Sequence, residues 1–546
     1  SKLGSIKLCC RIAKMYKSLI LAGSFATASA ALPDVAVNES RTFELMLPAR
    51  DGVGLHTRVV LPRDDDGTQK YTTIVDRSPY GYLGLEWIPD IFVPAGFATV
   101  GQDMRGTEES EGRFSIFHSD GNDSEDLGNW IVQQPWSNGE IYSFGASADG
   151  LGAFTMVTNQ PSWLSKQYFI WTSSIGYQVF YPQGTEMEEL IDSWIHGTVE
   201  GDWADVCLES IKNNEYYNSW WEAVDLTNKY DYVHGKSAFW AGWYDMFLVG
   251  NLAAYNGYNT QCQEEYRYTS MLTIDPLGHC QSAAEYFPQD LVAGRTLLAF
   301  MQAVELYDIH DVARTNVQNV TFYVMSSNDE AGLSVANYWT SAETFPTPKM
   351  TDYYFHSDKT MSTSAPSEEN DKSTYVYDPA DPVPTMGGNN LDMPCGPLDQ
   401  AEIDQRSDVL TFQTPVLTEA LPLTGPLDVT LFVGSDAIDT DFMVRLSDVY
   451  PTGEVRLIQD SAIRMRWREG GQEPVYMSGD SSSVYEVTGS LWNTSYVLAP
   501  GHSVRVAVTS SNYPRFSANP NNGKLLKYPD QEPLIVANNI LHHSAQ

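Results

Sequence analysis

Between residues 41 and 325, short apolar runs recur, and their period switches between that of strands and that of helices. Residues 41–62 alternate polar and apolar around one turn, Asp51-Gly52, which predicts an antiparallel hairpin. Apolar and β-branched runs over 71–75, 97–100 and 141–144 predict buried strands, and the spacing of Leu127, Trp130 and Ile131 predicts a helix over 124–134. Further strands are expected over 237–243, 269–274 and 320–325, with a helix over 291–306. Strands alternating with helices in this way argue for an α/β sheet. Residues from about 160 to 235 break the pattern: they are rich in Trp, Tyr and acidic side chains and carry helical runs over 186–194 and 202–211. They read as a helical insertion over the carboxyl edge of the sheet. From about residue 350 the signal is β throughout, with short strands over 429–433, 442–449, 484–487 and 504–509 between Gly, Pro, Asp and Asn turns. That spacing predicts a sandwich or jelly roll. The expected division is an α/β domain over 31–160 and 237–349, a helical cap over 161–236, and an all-β domain over 350–546.

A chain of 546 residues is too long for one core, which agrees with that division. Its 70 acidic against 33 basic side chains give a formal net charge of -37, a surface that repels phosphate backbones, so a nucleic-acid partner is not expected. Residues 1–30 read as a secretory signal peptide: Met15-Tyr16-Lys17-Ser18, a short apolar stretch over 19–25, and the small-residue cleavage site Ala28-Ser29-Ala30. The expectation is a secreted protein with no membrane partner. Four cysteines follow the leader, Cys207, Cys262, Cys280 and Cys395, which in an oxidising compartment could form two bridges in any of three connectivities. Their wide spacing, the lack of a His-Glu-x-x-His, and the shortness of the Asp64-Asp65-Asp66-Gly67 run as a calcium loop leave no metal or cofactor expected. Sequons stand at Asn38, Asn122, Asn319 and Asn493, expected in surface loops if glycosylated.

The candidate chemistry starts at Phe144-Gly145-Ala146-Ser147-Ala148-Asp149-Gly150, a serine among small residues at a strand-to-helix turn. This is the form of a nucleophile elbow, although Gly-x-Ser-x-x-Gly is one residue wider than the standard pattern. A serine hydroxyl needs a base, and the base needs a carboxylate to orient it. In α/β hydrolases these follow in the order Ser, Asp or Glu, His. Asp245 ends Ala241-Gly242-Trp243-Tyr244-Asp245 after an apolar strand, and His279 ends Ile274-Asp275-Pro276-Leu277-Gly278-His279 after another. Taken singly, Asp245 reads as a helix N-cap and His279 as a surface histidine; together and in order they read as a triad.

These residues make a family resemblance. Pro79-Tyr80-Gly81, Asp103-Met104-Arg105-Gly106, Ser110-Glu111-Gly112, Gln134-Pro135-Trp136, Gly145-Ala146-Ser147, Gly242-Trp243-Tyr244-Asp245 and Pro276-Leu277-Gly278-His279 resemble the cocaine esterase/NonD family of serine hydrolases. The likeness runs on through Asp378-Pro379-Ala380-Asp381-Pro382, Asp439-Thr440-Asp441-Phe442, Pro500-Gly501-His502 and Tyr513-Pro514-Arg515-Phe516. It implies an α/β-hydrolase domain, a cap inserted between its strands and a C-terminal jelly roll. It also implies Ser147 as nucleophile, Asp245 as orienting acid and His279 as general base. The Tyr80 hydroxyl and the Ala148 N–H are the implied oxyanion donors.

Three departures from the family pattern stand out. Ala148 replaces the usual Tyr after the nucleophile, and Pro-Leu-Gly-His replaces Pro-Trp-x-His. Met246-Phe247 stand where the amino ester hydrolases of the family carry acids for a substrate ammonium; Asp149 is a partial substitute or simply a helix first-turn acid. The leading expectation is a hydrolase acting through an acyl-enzyme on a carboxylic ester or amide, with a small-molecule or short-peptide substrate. An X-prolyl dipeptidyl peptidase is the alternative, with Glu186, Glu188, Glu189 or Asp192 as candidates for holding a free amine. A glycan-binding protein with a decayed hydrolase domain is the further one.

Overall fold

The opening hairpin forms from β1 (Arg41–Pro48) and β2 (Gly54–Leu61), paired antiparallel from Arg41↔Leu61 to Pro48↔Gly54. The computed structural model describes residues 41–63, 67–82, 87–309, 319–326, 335–367 and 371–543. The leader expected over 1–30, the sequon at Asn38 and positions 64–66 lie outside the described residues. After the hairpin come β3 (Tyr71–Ser78), β4 (Ala98–Asp103), β5 (Ser137–Ala146), β6 (Leu164–Ile170), β7 (Lys236–Gly242), β8 (Met271–Asp275) and β9 (Val320–Ser326). Their order across the sheet is β1-β2-β4-β3-β5-β6-β7-β8-β9, and every pair from β4 to β9 is parallel.

A parallel sheet is covered on both faces, so its strands must be apolar at successive positions, with neighbours pointing opposite ways. The chain does this repeatedly. Val75, Phe169 and Phe239 pack in one cluster with Leu127 and Ile131 of helix Asp120–Ile131, Phe154 of helix Ala148–Thr155, and Tyr258 of helix Leu248–Thr260. Their neighbours Ile74, Tyr168 and Trp240 join Phe92 and Ala303 in a second cluster, under helices Trp87–Phe92 and Gln289–Leu306. Phe154 stacks on Phe169 with ring centres 3.9 Å apart, and Phe169 on Phe239 at 5.3 Å.

β6 is a correction. It lies inside the segment expected to be cap, yet it pairs with β5 and β7 in mid-sheet. Its buried run Leu-Ser-Lys-Gln-Tyr-Phe-Ile has no polar face to announce a strand, and Lys166 is held by Asp308 at 2.6 Å. The cap helices follow it: Gly176–Phe180, Glu188–Thr198, Asp202–Lys212 and Ser219–Glu222. Their apolar sides form a third cluster that takes in Ala148 and Leu151 beside the elbow and Met443, Ala462 and Phe516 from the C-terminal domain.

That domain is a jelly roll of two antiparallel sheets. One contains Leu410–Gln413, Ser503–Thr509, Asp441–Val449 and Val455–Arg464 in that order. The other joins the first domain, because Tyr485–Leu498 pairs parallel with β9 at Tyr496↔Met325 and Val497↔Ser326. Among the described residues one disulfide forms, Cys280–Cys395, while Cys207 and Cys262 are buried free thiols, so the second bridge allowed by the sequence is absent there. Of the sequons, Asn319 is exposed just ahead of β9. Asn122 is exposed on a helix, not a loop, and Asn493 is half-buried in a strand.

Candidate active site

β5 runs into helix Ala148–Thr155 through a single residue, Ser147, whose φ of 58° and ψ of -127° lie outside the regions side chains favour. Small residues make this turn possible. A Cβ on Gly145 would lie 2.8 Å from Gly150 Cα, and one on Gly150 would press into Thr172. Ser147 N–H donates to the Ile170 carbonyl at 3.0 Å, and its own carbonyl accepts from Thr172 Oγ1 at 2.8 Å. The end of β6 thus fixes the elbow on both sides, and the wider Gly-x-Ser-x-x-Gly spacing still closes.

The loops after β7 and β8 bring Asp245 and His279 together. His279 Nδ1–H donates to Asp245 Oδ2 at 2.5 Å, and the His279 backbone N–H donates to the same oxygen at 2.7 Å. Asp245 Oδ1 accepts from Phe247 N–H at 2.8 Å, so the carboxylate is oriented by backbone as well as imidazole. Two glycines allow the approach: a Cβ on Gly242 would collide with Gly278 backbone, and one on Gly278 with the Asp245 carboxylate. Gly278 also has φ +63°, a conformation that costs a side chain of ordinary chirality. Asp275 builds the turn beneath His279, its Oδ1 accepting from Leu277 N–H at 2.7 Å and Gly278 N–H at 2.6 Å. His279 and Asp245 are both buried, and His279 Nε2 has no hydrogen-bond partner among the described residues. The imidazole lies between Trp171 at 5.6 Å and Phe247 at 5.4 Å. Trp171 directly follows Ile170, whose carbonyl accepts from Ser147 N–H, so the indole beside the imidazole stands one residue from the anchor of the elbow, and no hydrogen bond joins Ser147 to His279 Nε2.

Tyr80 follows β3 in the Pro79-Tyr80-Gly81 turn, its N–H donating to Ser78 Oγ at 3.1 Å. Its hydroxyl accepts from Trp194 Nε1–H of the cap at 2.8 Å. Ala148, the first residue of the elbow helix, is buried. Asp149 is not the exposed first-turn acid that the macrodipole reading implies: burial pushes its carboxyl up to about 8, where it is neutral in ordinary buffers. Burial first, and then competition with Asp149 beside it for a single negative charge, hold Asp76 well above the usual carboxylate range too. Among the cap acids, Glu186 is buried 4.0 Å from Lys212 Nζ, while burial, with Asp392 and Asp192 nearby, raises Glu189 to about 7.

Several site residues had no signal in the sequence. Asn389 Nδ2 donates to the Asp245 carbonyl at 3.1 Å from a loop that the disulfide Cys280–Cys395 ties to the residue after His279. Jelly-roll residues also hold the Gly-Trp-Tyr-Asp loop: Tyr244 O–H donates to the Leu457 carbonyl at 2.7 Å, and Gln459 Nε2 to the Trp243 carbonyl at 2.8 Å.

Residues 51–205 match the family model for X-Pro dipeptidyl-peptidase (S15 family), and residues 313–546 match that for the X-Pro dipeptidyl-peptidase C-terminal non-catalytic domain. The chain is 26% identical to a cocaine esterase of Rhodococcus sp. (strain MB1 Bresler), over 93% of this chain and 97% of that one. It belongs to the S15/cocaine esterase family of serine hydrolases. The fold of this family member is shared with an α-amino acid ester hydrolase, at TM-score 0.77 and 22% identity over 96% of this chain and 97% of that one. An aminopeptidase from a marine sediment archaeon, Thaumarchaeota archaeon, superposes with TM-score 0.76 and 20% identity, over 96% and 97% of the two chains.

Proposed function

We propose that this serine hydrolase cleaves carboxylic esters or amides of small molecules through an acyl-enzyme formed on Ser147. The observation that carries the reading is the buried 2.5 Å contact of His279 Nδ1 with Asp245 Oδ2, which orients Nε2 for a proton from the serine. Ser147 Oγ attacks the substrate carbonyl carbon as His279 Nε2 takes its proton. Tyr80 O–H and Ala148 N–H stabilise the oxyanion. The imidazolium then returns the proton to the leaving alcohol or amine as the carbon–heteroatom bond breaks, and water, activated by the same histidine, releases the acid. The hydroxyl is presented by a strained elbow and the donors are fixed in advance, so little reorganisation is needed at the transition state. The reading includes secretion, which the Cys280–Cys395 disulfide supports as chemistry of an oxidising compartment.

A fluorophosphonate probe is expected to label wild type and not Ser147→Ala, which should also lose p-nitrophenyl ester hydrolysis. Labelling that persists in Ser147→Ala, or a wild type that neither labels nor hydrolyses, sinks the proposal and favours a binding protein. The alternative of an X-prolyl dipeptidyl peptidase draws on the matched family descriptions and on Glu189 with Asp392 and Asp192 as a seat for a free amine. Faster release from a Gly-Pro p-nitroanilide than from p-nitrophenyl esters would favour it.

A further inference from the structure

The cap reaches Tyr80, the oxyanion donor proposed above, through one bond. Trp194, on helix Glu188–Thr198, donates its indole N–H to the Tyr80 hydroxyl oxygen at 2.8 Å. An indole has a donor and no acceptor, so this bond uses a lone pair of the phenol and not its proton. Accepting a hydrogen bond also polarises the O–H and strengthens it as a donor. The bond therefore fixes the phenol oxygen without itself using the phenol proton.

The indole itself is held on several sides. Phe117 stacks nearly parallel to it, at 5.9 Å and 13°, and Phe114 meets it edge-on at 5.9 Å. Phe180, from a neighbouring cap helix, lies at 5.9 Å. The loop that supplies Phe114 and Phe117 is under backbone strain, with Ile116 at φ 53° and Phe117 at φ 67°. Two consecutive left-handed residues, the first of them β-branched, persist only where the surroundings over-determine them. Here the surroundings are the cap: Trp203 Nε1 donates to the Phe114 carbonyl at 2.9 Å, and Arg113 lies over the Trp203 ring at 4.5 Å. The Ser115–Ser119 hydroxyl contact at 2.9 Å closes the same loop from below. The strain is spent on seating Phe117 against Trp194.

Resting on the assignment of Tyr80 made above, we propose that Trp194 is a positioning residue for the oxyanion donor, so that the seating of the cap sets the strength of the oxyanion hole. The α/β domain supplies the tyrosine and the strained loop, and the cap supplies the group that aims them. A substrate whose acyl part displaces the indole loses turnover and not binding.

The test uses the full chain and a p-nitrophenyl ester. Trp194→Phe keeps a ring in the aromatic cluster and removes only the donor. It should lower kcat about tenfold, a fraction of the hundredfold or more expected for Tyr80→Phe, with KM changed less than about twofold. Affinity for an alkylboronic acid, whose adduct carries the oxyanion, should fall by the same factor. In a Tyr80→Phe background, Trp194→Phe should have no further effect. A full kcat in Trp194→Phe, or an equal loss in both backgrounds, overturns the proposal. If Trp194→Phe does not fold, Phe117→Leu replaces it, with a smaller loss of kcat and boronate affinity expected and no loss overturning. Tyr80→Phe with unchanged kcat would instead defeat the tyrosine's assignment, and the inference with it.

Discussion

At the scale of single residues, the site depends on where side chains are missing as much as on where they are present. Gly278 combines φ +63° with a Cβ position inside the Asp245 carboxylate, so two penalties fall on any substitution there. Gly278→Ala should cost more than about 1 kcal/mol from backbone conformation alone, and the displaced carboxylate should take most of kcat with it. Ester turnover and a urea melt measured side by side check both. The buried acid next to Ser147 makes a second prediction. Burial pushes the Asp149 carboxyl, which titrates together with Asp76, up to about 8 in the folded protein, against an ordinary 3.8 in an unfolded chain. Between those values the folded state binds more protons than the unfolded one, so stability falls as pH rises through that window. It is fully retained below the lower value and fully lost above the upper. Asp149→Asn removes the share of this dependence that Asp149 carries and leaves the share that burial gives Asp76. Relative to that variant, wild type should lose up to about 1.4 kcal/mol per pH unit across the window; parallel stability curves would refute it. The motif residues were legible because Ser, Asp and His occur in order after apolar runs. Asp76 was not, because a carboxyl buried within a strand carries no motif.

At the scale of elements, the two-faced strands dictate where the helices go. Phe169 on β6 is sandwiched between Phe154 and Phe239, and its burial is complete. Phe169→Ala should therefore destabilise by about 3–5 kcal/mol, read as a shift in a denaturant melt, with a change at an exposed position such as Glu419→Gln as the control. β6 is also the element the sequence pattern misassigned. Period-2 alternation announces a strand only when one face is wet, and in a central strand both faces are dry, so aromatic richness resembled the neighbouring helices. The hairpin β1–β2, by contrast, was plain, since its first strand is largely exposed and keeps its polar alternation.

At the scale of the whole molecule, the jelly roll completes the site from behind. Its strand Val455–Arg464 clamps the loop that ends in Asp245, and a buried ion network joins it to the cap. Arg464 pairs with Asp441 at 2.8 Å, Arg466 with Asp439 at 2.9 Å, and Arg466 also reaches Glu215 of the cap at 3.2 Å. Removing Glu215 leaves Arg466 with Asp439 alone and the buried Trp467 indole N–H without its acceptor, so Glu215→Ala should cost about 3 kcal/mol and should loosen the cap first, seen as earlier proteolysis between residues 199 and 235. The disulfide closes a loop of 115 residues beside His279. Cys395→Ser should lower stability by about 2–5 kcal/mol, and a reducing agent should do the same to wild type but not to the variant. The sequence by itself determined the alternating sheet, the order of the candidate triad and the all-β C-terminal part, because hydrophobic period and turn chemistry are local properties of a chain. Only the tertiary structure decided which cysteines pair, that Asn389 and Gln459 brace the Asp245 loop, and that Trp194 meets Tyr80. Those contacts join positions separated by more than a hundred residues, and nothing in the local pattern of either partner encodes the meeting.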